Sequence, residues 1–122
     1  MVKTKIKPVL PSLRAKKRYL VFEIISEQAI KDVSLVSSTI INCTSKLLGD
    51  YGMAKANINI LSNKWNEELQ RCIVKVNHKY AEALRAALTL VDKINDQKVI
   101  IRSLGISGIL RKAEKKYLIG EV

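Results

Sequence analysis

The apolar residues change period along this chain, and the order of those changes limits the folds open to it. Arg18–Ile25 (RYLVFEII) is β-branched and aromatic-rich, which predicts a strand buried on both faces. Leu20, Phe22 and Ile24 share one face; Tyr19, Val21, Glu23 and Ile25 share the other. From Lys31 to Leu48 the spacing becomes helical, with Val33, Val36, Ile40, Cys43 and Leu47 on one stripe and Gly49 placed as a left-handed cap. Lys55–Ser62 (KANINILS) alternates. It predicts a half-buried strand with Ala56, Ile58 and Ile60 inward and Lys55, Asn57 and Asn59 on a polar face.

The pattern then repeats. A polar turn from Asn63 to Leu69 carries Trp65, and Arg71–Val76 reads as a third strand, with Cys72, Val74 and Val76 alternating against Arg71, Ile73 and Lys75. A second helix is predicted from Lys79 to Ile94, striped by Tyr80, Leu84, Ala87, Leu88, Val91 and Ile94 and capped by Asn77 or His78. The turn Asn95-Asp96, a strand Lys98–Leu104, the loop GISG (Gly105–Gly108) and a short basic helix Leu110–Leu118 complete the chain. The order β-α-β-β-α-β predicts an α+β, ferredoxin-like (split βαβ) sandwich: a four-stranded antiparallel sheet with two main helices on one face. The other face is left for solvent, for the terminal segments or for a ligand. A length of 122 residues suits one such domain, residues 18–122, behind a basic N-terminal arm of residues 1–17 with two prolines.

Charge supplies the functional signal. The net charge is +11, and it is segregated. Residues 1–18 hold seven bases and no acid; residues 19–97 hold nine of each sign; residues 98–122 hold six bases and two acids. A neutral body with cationic ends points to a polyanionic partner, with nucleic acid foremost. No apolar run approaches the ~18 residues of a membrane span, and the basic start lacks the apolar stretch of a signal peptide, so no membrane partner and a cytoplasmic location are expected.

The chain offers little to catalysis. It has no nucleophile elbow, zinc-protease motif, phosphate-binding loop or dinucleotide turn. Glu67 and Glu68 are adjacent in a polar turn, and His78, the sole histidine, has no carboxylate or nucleophile near it in sequence; a solvated turn and a helix cap are the expected roles. Cys43 and Cys72 are far apart and read as buried apolar side chains. Four zinc ligands are hard to find in this chain. No catalytic residue, metal site or bound cofactor is therefore expected. Nor is the aromatic motif of single-strand RNA binders present on the third strand, so Lys and Arg contacts to phosphates would carry binding.

Four segments together resemble one family. Lys16–Ile24 (KKRYLVFEI), Gly52–Leu61 (GMAKANINIL), Glu82–Val91 (EALRAALTLV) and Ile101–Leu118 (IRSLGISGILRKAEKKYL) are collinear with archaeal ribonuclease P protein component 2, related to the eukaryotic Pop-five subunit. The resemblance covers roughly residues 14–118. It implies a protein subunit of the ribonucleoprotein endonuclease that removes the 5′ leader of precursor tRNA, with RNA as catalyst and Mg2+ held by that RNA. It also implies a TIM-barrel-like partner, protein component 3, and a homodimer at the centre of a heterotetramer. Ile109 departs from the family, which often has a hydroxyl residue there. The RNA-binding candidates are Arg14, Lys16, Lys17, Arg18, Lys55, Asn57, Asn59, Arg111, Lys112, Lys115 and Lys116, with a backbone contact through the glycine loop at Gly105, Ser107 and Gly108. A general RNA-binding protein of ribosomal or chaperone type and a ferredoxin-like metabolite-binding regulatory domain are the alternatives.

Overall fold

The computed structural model describes residues 16–118. Its elements are β1 (Lys17–Ser26), α1 (Val33–Ala56), β2 (Asn59–Ile60), β3 (Arg71–Asn77), α2 (Ala81–Leu90), β4 (Lys93–Ile94), β5 (Gln97–Ser107) and α3 (Leu110–Ala113). The sheet order is β2-β3-β1-β5-β4, with every neighbouring pair antiparallel. This is the expected ferredoxin-like arrangement with a fifth strand added at one edge. Most of the expected arm, including Arg14, lies outside the described residues; Lys17 opens β1.

The extra strand corrects the predicted end of the second helix. Asn95 and Asp96 adopt positive φ of 52° and 66°, the backbone that a two-residue hairpin turn requires and that Asn and Asp tolerate. Ile94 therefore pairs with Gln97, and α2 stops at Leu90. Val91 and Ile94 are still buried, but from an extended segment. At its start α2 follows a 3₁₀ turn, His78–Tyr80, and Asn77 caps that turn, its Oδ1 accepting from Lys79 N at 3.0 Å. The N-cap position of α2 itself is Tyr80, without a side-chain capping bond, so neither Asn77 nor His78 caps the helix directly.

The first helix is longer than expected. Asp32 caps it, accepting from Ser34 N at 2.9 Å and from the Ser34 hydroxyl at 2.6 Å, and these bonds hold the Asp32 carboxyl below its ordinary pKa. Gly49 does break the helical geometry, with φ 73° and ψ 175°, but a further helical stretch continues to Ala56. Asn57 then ends it in the left-handed region, its N–H donating to Met53 O. The strand predicted over Lys55–Ser62 is consequently reduced to Asn59–Ile60. Its apparent alternation began inside a helix: Ala56 is buried from α1, not from a sheet. Leu47, placed on the core stripe by spacing, is 47% exposed. Thr44 is buried instead, its hydroxyl donating to Ile40 O at 2.7 Å so that the polar group is satisfied.

Both helices pack on one face of the sheet. Leu20, Phe22 and Ile24 of β1 meet Cys72, Val74 and Val76 of β3, Val99 and Ile101 of β5, and Val36, Ile40, Leu84 and Leu88 of the helices. Cys72 is fully buried there, which pushes its thiol up to about 11, whereas Cys43 is only partly buried; both are free.

The opposite face is partly covered by the C-terminal helical segment, α3 and the wider turn Glu114–Leu118. Ala113 and Leu118 bury Val21 and Ile73, with Leu104, Leu110 and Tyr117 around them. Leu104 is the extra residue of a bulge, because Phe22 pairs with Ser103 and Val21 with Gly105. The GISG segment is thus largely strand rather than loop, with Gly105 and Ser107 paired to β1. Gly105 has a steric role: a Cβ there would run into the Tyr117 ring and hydroxyl. Three polar contacts pin the segment: Asn66 Nδ2 donates to Leu118 O (2.8 Å), Arg71 Nη1 to Tyr117 O (2.8 Å), and Lys64 pairs with Glu114 (3.1 Å). Trp65 anchors the preceding loop against the main core.

Gly105→Val should therefore cost about 1–3 kcal/mol in urea denaturation. In a Tyr117→Ala background the same change should cost clearly less, because the colliding ring is gone. Cys72 should resist a thiolate-directed reagent at pH 8 until the chain is unfolded. Folded Cys72 keeps its proton between the ordinary thiol value of 9.0 and about 11 while the unfolded chain loses it, so wild type should lose stability across that range and Cys72→Ala should lose less.

Candidate nucleic-acid interface

Antiparallel pairing decides which cations meet. The start of β1, the end of β3 and the end of β5 lie at the same end of the sheet: Lys17 pairs with Asn77, and Tyr19 with both Lys75 and Ser107. The end of α1 is tied there, since Asn77 Nδ2 donates to Lys55 O at 3.4 Å. His78 N donates to Lys16 O at 2.8 Å and fixes the entry to β1. Lys16, Lys17, Arg18, Lys55, Lys75 and Lys79 therefore converge from three separate stretches, with Arg111 and Lys112 opening the helix that follows β5. Lys16, Lys17, Lys55, Lys79, Arg111 and Lys112 are exposed; Arg18 and Lys75 are half-buried.

The ion pairs among the described residues leave this cluster untouched. Glu23 bridges Arg71 (3.2 Å) and Arg102 (2.8 Å), Lys64 pairs with Glu114, and Arg85 with Glu82. The single Glu23 carboxylate is shared by two guanidiniums, so this row is only partly compensated and Arg102 stays largely exposed. Cations that lack a carboxylate partner remain available to an external anion, and gathering several of them raises the local positive potential.

The outer face of the sheet is organised in cross-strand rows. Arg71–Glu23–Arg102 forms an ionic row, and Ile73–Val21–Gly105 forms the apolar row beneath the C-terminal segment. Next toward the basic end comes Asn59–Lys75–Tyr19–Ser107, and then Lys17–Asn77.

The sequence candidates distribute unevenly over this geometry. Lys16, Lys17 and Arg18 stand at the cluster, and the Arg18 guanidinium lies beside Gly108. Lys55, Asn57 and Asn59 do not share a sheet face: the first two end α1, and only Asn59 lies in β2. Gly105 is occupied by Tyr117 packing. The Ser107 hydroxyl is engaged locally, donating to Ile109 O and accepting from Ile109 N at 3.1 Å. Lys115 and Lys116 are exposed further along the C-terminal segment, with Lys116 Nζ 5.5 Å from the Tyr117 ring centre. Lys75 and Lys79 were not among the sequence candidates. The parity of Lys75 with Ile73 was visible in the sequence, but the face it marks became defined only when β3 paired with β1. Tyr51, 75% exposed, carries Lys55 Nζ at 5.2 Å from its ring.

No group of three His, Cys, Asp or Glu placed to hold a metal ion occurs among the described residues. Glu67 and Glu68 are exposed in their turn, and the His78 backbone serves the β1 entry. No helix among the described residues is long and apolar enough to cross a membrane.

Changing Lys16, Lys17, Lys75 and Lys79 to Ala should flatten the dependence of log K on log salt for RNA binding by about 0.7–0.9 per lost phosphate contact. Changing Lys93 and Lys98, at the other end of the sheet, should leave the slope near wild type.

Comparison with known proteins agrees along almost the whole described chain. Residues 18–118 match the Rpp14/Pop5 family. A protein named ribonuclease P protein component 2 from Thermococcus kodakarensis is 36% identical over 117 residues, covering 96% of this chain and 95% of its own length. Proteins of the same name from Pyrococcus abyssi (38% identical, 93% of this chain and 94% of the relative) and Methanosarcina mazei (35%, 93% of each) are similar throughout. Among solved structures, a chain in the cryo-EM structure of yeast ribonuclease MRP shares the fold, with a TM-score of 0.59 at 16% identity over 80% of this chain and 78% of that one.

Proposed function

The chain belongs to the Rpp14/Pop5 family, and from that membership we infer that it works as a non-catalytic protein subunit of ribonuclease P, the ribonucleoprotein that removes the 5′ leader of precursor tRNA. The observation that carries this reading is full-length similarity to ribonuclease P protein component 2. The cluster of cations at one end of the sheet, none paired with a carboxylate among the described residues, supplies a physical means of binding RNA.

The expected mechanism is electrostatic. Phosphates folded close together repel one another, and Lys and Arg side chains on a rigid sheet end can occupy the space between them. Their contacts position RNA without reading its sequence. Lys16, Lys17, Arg18, Lys55, Lys75 and Lys79 would form one such surface, extended by Arg111 and Lys112, with Lys115 and Lys116 along its flank. Arg14 belongs to the same basic run in sequence. By lowering repulsion within the RNA fold, these groups would favour the RNA conformation that carries out cleavage. Mg2+ would be held by the RNA, and precursor tRNA would be met within the holoenzyme.

Protein partners would use other surfaces. Ile25, Leu47, Leu90 and Ile100 are exposed apolar side chains outside the cationic cluster, and burial of such groups drives protein association. Protein component 3 and a second copy of this chain are the proposed occupants, and the cytoplasm the proposed location.

Isolation of the protein from its native cells, with sequencing of bound RNA and identification of bound proteins, tests the assignment. Recovery of ribonuclease P RNA is expected; consistent recovery of a different RNA would replace the assignment. In a reconstituted enzyme at saturating protein, Glu67→Ala, Glu68→Ala and His78→Ala should leave the cleavage rate near wild type. A selective loss of cleavage with assembly intact would place catalytic chemistry on this chain.

A further inference from the structure

We propose that the cross-strand row Asn59–Lys75–Tyr19, on the outer face of the sheet, binds one unpaired RNA nucleobase stacked on the Tyr19 ring. The proposal rests on the reading of the chain as an RNA-binding subunit and adds a base contact to its phosphate contacts. Sequence patterning alone left Tyr19 ambiguous, because the only other aromatic of that strand, Phe22, points to the opposite face and β3 has none. The structure resolves the question by direction. Tyr19 lies on the outer face of the central strand β1, directly opposite Lys75 of β3. Asn59 of β2 continues the row beyond Lys75.

Among the described residues the C-terminal segment does not bury this row completely. It covers Val21 and Ile73, one row away. Tyr19 packs partly against that cluster and remains partly exposed, and Lys75 is likewise half-buried while Asn59 is exposed. Partial burial restrains the ring before any ligand arrives, so little conformational freedom is left to lose on stacking. Lys17 stands in the next row and is exposed. A base on the ring would thus have an ammonium at Lys75 and a carboxamide at Asn59 on one side, and another ammonium for its phosphate at Lys17. Tyr51 is more exposed, but it stands on α1 and Lys55 already lies over its ring.

Stacking and phosphate contact are separable. A base held by an aromatic face contributes binding that does not release counterions, and a duplex offers no free base face. The full chain is titrated with a ten-nucleotide oligouridylate carrying one 4-thiouridine, and with a ten-base-pair RNA duplex. Tyr19→Leu keeps an apolar side chain against the Val21–Ile73 cluster. It should bind the single strand about 5- to 100-fold more weakly, with the salt slope and duplex affinity unchanged. Tyr19→Phe should bind within about twofold of wild type, since stacking needs the ring and not the hydroxyl. Irradiation of the wild-type complex should crosslink the thiouridine to the peptide holding Tyr19, a result independent of how any variant folds. Equal single-strand affinity of Tyr19→Leu and wild type, or an equal loss on duplex, would overturn the stacking site and leave the subunit assignment standing. Failure of wild type to bind either probe would overturn the RNA-binding premise itself.

Discussion

The structure depends on β1 being buried on both faces. Leu20, Phe22 and Ile24 face the helices, and Val21 faces the opposite way, where Ile73 joins it from β3. Burying a side chain of this size is worth about 1.5–3 kcal/mol, so neither face of the central strand can be left open along its length. The helices α1 and α2 satisfy one side. The C-terminal segment satisfies the other, and this explains its three polar tethers and the glycine beneath Tyr117. The short basic C-terminal helix is thereby part of the core as well as a carrier of charge.

The same central strand organises the charge. Because β1 pairs antiparallel with both β3 and β5, the basic start of β1 comes beside the end of one strand and the end of the other. Cations far apart in the chain become one surface, while Glu23, on the same outer face, engages two arginines on the neighbouring strands. Among the described residues, cations from the basic start of β1 and from two other stretches thus gather at one end of the sheet. Among the described residues, no carboxylate is paired with the cations of that end.

Two segments depart from the conformation their periodicity predicts, each for a local reason. The alternation of Ala56, Ile58 and Ile60 resembled a strand, but Ala54, Lys55 and Ala56 have high helix propensity, and Asn57 can take the left-handed conformation that ends the helix. The spacing of Val91 and Ile94 fitted a helical stripe, yet Asn95-Asp96 supports a tight hairpin, and the hairpin took those residues into extended backbone. In both places two periodicities fitted the same few residues, and capping or turn chemistry decided between them.

The amino-acid order by itself determined the α+β class, the two strand–helix units, the inward face of β1, the family and the polyanionic character of the partner. These follow from periodicity, local motifs and formal charge, which need no knowledge of distant neighbours. Only the tertiary structure decided that the outer face is half covered, that Lys75 and Lys79 join Lys16–Arg18, that Glu23 is shared by Arg71 and Arg102, and that Tyr19 stands partly exposed on the outer face opposite Lys75. The physical reason is that each of these is a contact across strands or between a strand and the C-terminal segment. Residues with no marked pattern along the chain acquire their neighbours, and hence their chemistry, only through the pairing register.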